Sequence, residues 1–214
     1  DSKEEILFDC NVMAKDHSYF RLVGLNVSPN NQYVSYGLDT TGRRQYKLLI
    51  KDIKSNKVFK EEVWNTTGGS TWANDNKTLF YVLKDETTLR SEAVYKHRLN
   101  TSTENDELVY EEKDDTFGVG IYKTKSQKYL VISSYSTLTS EHKILNANTP
   151  DGIFKVFQSR VKGLEYSISH FENSFYIVSN IDNSLNFKLS KTSEKNTEKN
   201  NWIDVIPHRE NVLS

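Results

Sequence analysis

Residues 72–82 have the sequence Trp-Ala-Asn-Asp-Asn-Lys-Thr-Leu-Phe-Tyr-Val, and this stretch decides the fold that we predict for the chain. Its polar centre predicts a tight turn, because the short side chains of Asn and Asp hydrogen-bond to nearby backbone and tolerate left-handed backbone angles. The Thr, Leu, Phe, Tyr and Val that follow favour a pleated, half-buried surface. The stretch therefore predicts the end of one strand, a turn and a second strand.

The same pattern occurs four times along the chain. The equivalent positions in the second strand of each repeat are predicted to be Tyr36, Tyr81, Ile132 and Val178. The positions where the third strands end are predicted to be Ile53, Leu99, Leu145 and Leu189. The first set has spacings of 45, 51 and 46 residues, and the second has spacings of 46, 46 and 44. Four strands that recur roughly every 40–50 residues are typical of β-propeller blades.

The fold class that we predict is all-β, a β-propeller fragment of about four four-stranded antiparallel blades. The predicted blades are residues 18–64, 65–113, 114–159 and 160–207. A β-sandwich with evenly spaced strands is the alternative fold. A further strand is expected at residues 5–10 and a helical turn within residues 11–17. This extra strand and the tail after Pro207 favour a segment of a larger ring over a closed four-bladed ring.

Composition limits the classes of function. The chain has 214 residues, 36% of them hydrophobic, and a net charge of −1, with Lys and Arg spread along it. No basic stripe points to a nucleic acid or an anionic membrane as a partner. The single Cys10 excludes an internal disulfide. No apolar run approaches the ~20 residues of a membrane span, and no signal segment opens the chain, so we expect a cytoplasmic location, with a periplasmic one open.

The two ends of the chain look like cuts in a longer protein. The chain begins at Asp1 without an initiator Met, and residues 211–214 end it at an expected strand. A cut between blades exposes apolar sheet faces, and a monomer rarely tolerates large exposed patches of this kind. We therefore expect the chain to associate with itself through its open blade faces.

Six short strings resemble the N-terminal propeller of the oligopeptidase B branch (protease II) of the prolyl oligopeptidase family of serine peptidases. They are residues 17–20 (HSYF), 43–46 (RRQY), 72–75 (WAND), 109–115 (VYEEKDD), 163–168 (GLEYSI) and 206–211 (IPHREN). They keep their order and extend over nearly the whole chain. The resemblance implies that this chain is about half of a seven-bladed ring.

In that family the ring covers an α/β-hydrolase domain that carries the Ser, Asp and His triad. In the oligopeptidase B branch the hydrolase domain also carries acidic residues that select Lys or Arg. The resemblance therefore implies two partners, namely the hydrolase domain, which this chain lacks, and short basic peptides in the full-length enzyme. The propeller would filter substrates by size, and this chain alone would be catalytically inert. A freestanding propeller that binds a protein or peptide is the alternative function.

The sequence offers no catalytic, cofactor-binding or metal-binding residue that we would assign. A hydrolase nucleophile needs Gly-x-Ser-x-Gly, and the nearest string is Gly68-Gly69-Ser70, whose glycines we expect to allow a close backbone approach. The five histidines show no metal-ligand spacing. They are His17, His97, His142, His170 and His208. His97 is expected to be a packed or surface residue of a strand.

Two charged groups leave alternatives open. Arg43 and Arg44 could bind an anion, but a pair of arginines near Asp39 is more typical of a structural salt bridge. The acidic pairs 111–112 and 114–115 could attract basic peptides. A solvated turn is the favoured interpretation of these acidic pairs, because runs of charge usually face water.

Overall fold

A computed structural model describes residues 4–211 of the chain. It divides into two compact units, Asp1–Glu111 and Glu112–Ser214. The all-β class and the four-stranded antiparallel blades predicted from the sequence are confirmed. The strand expected at the C-terminal end of the chain lies outside the described residues from position 212 onward.

The first unit is a single antiparallel sheet of seven strands. The strands are Arg21–Val27 (β1), Tyr33–Asp39 (β2), Tyr46–Asp52 (β3), Val63–Trp72 (β4), Thr78–Lys84 (β5), Ser91–Arg98 (β6) and Glu107–Glu111 (β7), with a short 3-10 helix at Thr103–Asn105. The long strand β4 belongs to two blades, because it pairs with β3 at its beginning and with β5 at its end. The predicted blade boundary at residues 64–65 therefore falls inside β4.

The second unit holds two separate four-stranded sheets. The strands are Gly118–Lys123 (β8), Tyr129–Tyr135 (β9), Ser140–Asn146 (β10), Lys155–Gln158 (β11), Tyr166–Phe171 (β12), Ser174–Ser179 (β13), Lys188–Ser193 (β14) and Ile203–Ile206 (β15), with a 3-10 helix at Lys199–Asn201. β8–β11 form one blade and β12–β15 the next. The predicted limits of the four blades stay a prediction.

The hairpin at residues 72–82 forms as its sequence predicts. β4 ends at Trp72, and β5 begins at Thr78. The Asp75 carboxylate accepts hydrogen bonds from the backbone of Lys77 and Thr78, at 3.0 and 2.9 Å, and from the Thr78 hydroxyl. Asn76 takes the left-handed conformation at φ 61°, which Asn tolerates better than most residues.

This hairpin also fastens the second blade to the first. The Trp72 indole donates a hydrogen bond of 3.0 Å to the Asn26 carbonyl. The Asn76 side chain accepts one of 2.7 Å from the backbone of Asn30, which lies in the corresponding turn of the first blade. Because Trp72 is fully buried, its N–H needs such a partner.

One backbone hydrogen bond occurs at the same place in all four blades, and it shows which residues of the four blades are equivalent. The residue after the third strand donates its backbone N–H to a carbonyl in the first hairpin turn. The donors are Ile53, Leu99, Ala147 and Glu194. Their spacings are 46, 48 and 47 residues. The predicted strand end at Leu189 is therefore wrong. The other three predictions lie within one residue of a strand end, with Ile53 and Leu99 just after β3 and β6 and Leu145 just before the last residue of β10.

The error in the fourth blade has a physical cause. Leu189 is the second residue of β14, not its end. The buried side chains of β14 are Lys188, Ser190 and Thr192, so the strand lacks the apolar alternation that marks a half-buried strand. The second-strand alignment also slips by one residue, because Ile177, the fully buried fourth residue of β13, and not Val178, corresponds to Ile132 of β9.

The strand expected at residues 5–10 is wrong, and the segment packs instead as a cover on β2. The Phe8 ring lies 4.7 Å from that of Tyr36, and Lys51 donates a hydrogen bond of 2.7 Å to the Leu7 carbonyl. Asp9 then caps a short helix (α1, Cys10–Met13), because a carboxylate at this position accepts from free backbone N–H groups. The segment covers the face of β2 turned away from the second blade.

The blades of the first unit approach each other through glycine backbone. A Cβ added to Gly37 would lie 2.4 Å from the Gly68 Cα, and one added to Gly24 would lie 2.1 Å from the Gly68 oxygen. Gly68 itself has φ 86°, which favours glycine. The expected role of Gly68 in close approach is confirmed, whereas an added Cβ on Gly69 would meet no atom within 4 Å.

Candidate functional site

The acidic residues at positions 111–115 are only partly solvated. Glu111 and Asp115 are exposed to water as expected, although Glu111 is the last residue of β7 and not part of a turn. The solvated-turn interpretation is wrong for Glu112, which is 4% exposed. The Glu112 carboxylate lies 2.6 Å from Arg160 Nη2 and accepts a hydrogen bond from the Asp114 backbone. A buried carboxylate needs such partners, because removing its water otherwise costs much more than any packing returns.

Arg160 is the centre of this charge cluster. Its guanidinium lies 3.7 Å above the centroid of the Phe117 ring, a cation–π geometry. Its backbone N–H donates a hydrogen bond of 3.0 Å to the Glu141 carboxylate, and Glu141 also forms an ion pair with Lys143. The attraction of this region for cations is therefore weaker than its sequence suggests, since the buried acids already have basic partners.

Asp114 stays charged at the edge of the cluster. Its carboxylate accepts hydrogen bonds from the Thr116 hydroxyl and backbone, at 2.6 and 3.0 Å. These bonds, with a smaller contribution from the charge of Arg160, hold the pKa of Asp114 below its usual value. Asp114 is therefore the exposed acid of the cluster that remains available to a ligand.

A cavity of about 570 Å³ opens beside the charge cluster. Its lining includes Asp114, Phe117, Leu138, Thr139, Arg160 and Lys162. The tight turn between β9 and β10 forms one wall, because the Ser136 backbone N–H donates to the Thr139 carbonyl at 2.9 Å. The Thr139 hydroxyl in turn accepts a hydrogen bond of 3.0 Å from the Gly163 backbone N–H. We call this space the Arg160 cavity. Its size suits a small ligand, and its walls combine apolar and charged groups.

Two histidines sit in buried hydrogen-bond networks. His97, expected to be a packed or surface residue, is buried, and its Nδ1 lies 2.7 Å from Asp106. Asp106 also accepts from the Tyr81 hydroxyl at 2.8 Å, and burial together with the Asp106 charge raises the pKa of Tyr81. His142 Nε2 donates 2.9 Å to the Tyr166 carbonyl. Burial lowers the pKa of His142, so its ring is neutral at pH 7.

A serine, a histidine and a carboxylate meet in the second unit, and the sequence did not indicate this. His170 Nδ1 lies 2.8 Å from Ser126 Oγ, and its Nε2 lies 2.6 Å from Glu194. Lys128 also binds Glu194, at 2.5 Å. We call Ser126, His170 and Glu194 the His170 cluster. Because the three residues are up to 68 positions apart, no local motif could have found them.

The His170 cluster does not have the other features of a hydrolytic triad. A general base must pass its proton to a leaving group, yet the His170 side chain is 1% exposed. An oxyanion needs donors that are free to receive it, but Gln127 N–H donates to the Thr124 carbonyl and Lys128 N–H points at Ser126 Oγ. The cluster therefore joins the β8–β9 turn to β12 and to the residue after β14.

The remaining candidates are structural in this fold. Asp39 accepts hydrogen bonds from the backbone of Thr41, Gly42 and Arg44, so the arginine loop binds Asp39 through its backbone and not through the expected salt bridge. Ser70 lies inside β4 and donates 2.8 Å to Ser35. Gly68-Gly69-Ser70 is thus strand backbone and not the strand-to-helix turn of a hydrolase nucleophile.

Residues 4–211 contain no group of three His, Cys, Asp or Glu side chains placed to hold a metal ion. No helix within the same residues is long and apolar enough to cross a membrane. The expectation that the chain has no catalytic, cofactor-binding or metal-binding residue stays a prediction. Sequence reasoning did not single out Arg160 and Lys162. The feature that could have indicated them is the short basic loop that they form just before β12.

Comparison with known proteins identifies the family. Residues 1–214 match the family model described as the N-terminal β-propeller domain of prolyl oligopeptidase. The chain therefore belongs to the prolyl oligopeptidase family and represents its N-terminal propeller domain. The resemblance proposed from the six strings is confirmed.

Relatives and solved structures agree with this assignment. The chain is 35% identical to dipeptidyl aminopeptidase BI of Pseudoxanthomonas mexicana, over 98% of this chain and 29% of that protein. It is 30% identical to protease 2 of Moraxella lacunata, over 88% of this chain and 27% of that protein. The structure of oligopeptidase B from Leishmania major matches with a TM-score of 0.90 and 25% identity, covering 96% of this chain and 29% of that one. The chain thus spans about three tenths of the length of these relatives.

Proposed function

We propose that this chain is the propeller segment of a serine endopeptidase of the oligopeptidase B type, which cleaves short peptides after Lys or Arg. The match over all 214 residues to the family's propeller domain carries the proposal, and the oligopeptidase B structure at a TM-score of 0.90 supports it. In the parent protein the α/β-hydrolase domain would supply the triad. The propeller would restrict access, so that short peptides reach the triad and folded proteins do not.

A second candidate is a dipeptidyl aminopeptidase. Its support is the higher identity to dipeptidyl aminopeptidase BI, 35% against 30% for protease 2. The two activities differ in one chemical requirement, since an enzyme that removes dipeptides needs a free substrate amino terminus and an endopeptidase does not. The full-length parent protein should therefore be assayed with Arg-Arg-aminomethylcoumarin and with the same reporter blocked by benzyloxycarbonyl at its amino terminus.

The endopeptidase proposal expects turnover of the blocked reporter, and loss of that turnover when Arg-Arg is replaced by Ala-Ala. Turnover of the unblocked reporter alone would favour the aminopeptidase. A parent coding sequence without a Gly-x-Ser-x-Gly string in the roughly 250 residues of a typical hydrolase domain would contradict both peptidases. That result would favour the freestanding binding propeller.

The 214-residue chain alone is expected to be inert, because the His170 side chain is 1% exposed and the N–H groups of Gln127 and Lys128, next to Ser126, already have acceptors. Incubation of the purified chain with the blocked reporter should give the same rate as buffer. Turnover that disappears in the Ser126→Ala variant would overturn this expectation and would assign a catalytic role to the His170 cluster.

A further inference from the structure

Two cations line the Arg160 cavity, Arg160 and Lys162, and they differ in their partners among residues 4–211. Arg160 itself is balanced by Glu112 at 2.6 Å and by Asp114 at 3.8 Å. Lys162, which also lines the cavity, is exposed and makes no hydrogen bond or ion pair with any of the described residues, 4–211. The cavity therefore offers a single unpaired ammonium group to a ligand.

The rest of the cavity is suited to an apolar group next to that charge. Leu138, at the tip of the β9–β10 turn, is 63% exposed although it lies on the cavity wall. Phe117 closes the wall under the guanidinium of Arg160. Gly163, which also lines the cavity, leaves free space beside it, because a Cβ built on it would meet no atom within 4 Å. An apolar ligand group would remove Leu138 from water, which is favourable.

We propose that the Arg160 cavity binds the C-terminal residue of a peptide, with the free α-carboxylate at Lys162 and an apolar side chain against Leu138 and Phe117. A phosphate fits less well, because a doubly charged anion would meet one unpaired cation and the nearby carboxylates of Glu112 and Asp114. A basic side chain directed at Asp114 is the competing occupant. This inference concerns binding alone and does not depend on the proposed peptidase activity.

The test uses the 214-residue chain labelled with ¹⁵N and titrated with two probes, N-acetyl-leucyl-leucine and its C-terminal amide. We expect the acid to shift the amide signals of residues 137–139 and 160–163, with an affinity about fivefold higher than that of the amide, the range of a partly exposed ion pair. Lys162→Gln should abolish this acid-over-amide preference, and Lys162→Arg should keep it.

Lys155→Gln is the matched control, because Lys155 is exposed in the same unit but outside the cavity lining. It should leave the preference unchanged. Leu138→Ala should weaken the acid and the amide by the same factor. Equal affinity of acid and amide, shifts confined to other residues, or no saturable shift would overturn the proposal. Tighter binding of N-acetyl-leucyl-argininamide than of the acid would assign the cavity to basic side chains at Asp114 instead.

Discussion

The two units differ in how closely the strand backbones of neighbouring blades approach each other. In the first unit, Gly24, Gly37 and Gly68 bring strand backbones together so closely that no Cβ fits between them. In the second unit, aromatic side chains make the contact between blades, with Phe157 4.9 Å from Phe175 and 6.2 Å from Tyr166. The first unit has such a contact beside its glycines, since the Tyr33 and Trp72 rings stack 6.2 Å apart across its two blades. One fold thus tolerates both solutions, because blade packing requires a filled, dry interface and not a particular residue.

The outward faces of the two units also differ. The first blade carries the segment with Phe8 over Tyr36, so Tyr36 is 3% exposed. The last blade has no such cover among the described residues, and Phe171 on its outer face is 62% exposed. Since both faces are sheet surfaces of the same fold, the difference comes from the chain that precedes the first blade. The cover segment buries Tyr36, whereas Val27, which pairs with Val34 on the same face, stays 44% exposed.

The largest effect is expected from the glycine contact of the first unit. An alanine Cβ at position 68 would lie 2.6 Å from Val23 and 2.8 Å from the Tyr46 ring, at a backbone φ of 86°. Gly68→Ala should lower the free energy of unfolding by about 2–5 kcal/mol, from left-handed strain and overpacking together. Urea denaturation followed by circular dichroism measures this.

Gly69→Ala is the control for that substitution, because it adds the same methyl group next door in open space. Its effect should stay within about 1 kcal/mol. Equal losses in the two variants would show that the backbone contact at Gly68 does not determine the stability of the first unit.

A smaller effect is expected from pH in the second unit. Burial lowers the pKa of His142 below its usual 6.5, so the unfolded chain binds this proton at a higher pH than the folded chain does. The stability that the neutral ring provides is full above pH 6.5 and is lost as the pH falls through the folded-state pKa. Urea midpoints measured between pH 7 and 5 should therefore fall, and His142→Phe should reduce that fall.

His17→Phe is the matched control for this prediction, since His17 is exposed and lies in the first unit. This variant should keep the wild-type dependence on pH. A pH slope that is unchanged in His142→Phe would contradict the assignment of the slope to the buried histidine.

The smallest effect is expected from the uncovered outer face of the last blade. We propose that two copies associate through this face, where Phe171 and Ile203 are 62% and 65% exposed. Phe171→Lys should weaken the association by about tenfold, a typical cost for one buried aromatic contact. Sedimentation equilibrium measures the dissociation constant. Val12→Lys is the control, because Val12 is exposed on the segment that covers the first blade; it should leave the dissociation constant unchanged. A wild-type chain that stays a monodisperse monomer at high concentration would contradict the proposed association.

Sequence patterns predicted the parts of the fold that depend on neighbouring residues. The turn at Asp75 forms as predicted, because the hydrogen bonds that the Asp75 carboxylate accepts come from within three residues of it. The strand register failed at Leu189, because β14 buries Ser190 and Thr192 and gives no apolar signal. The strand expected at residues 5–10 does not form. The Phe8 ring packs against Tyr36, which lies 28 positions further along the chain, so a local sequence pattern could not indicate this contact.

The amino acids alone were enough to establish the all-β class, the four repeats and the family resemblance, since turns, apolar alternation and short strings are local properties of the chain. Tertiary packing decided what the charged groups do. Glu112 appears in the sequence as one acid of a solvated run, but it is buried against Arg160, 48 positions away. The difference arises because burial and pairing depend on which distant strands meet, and a charge changes its role when water is removed from it.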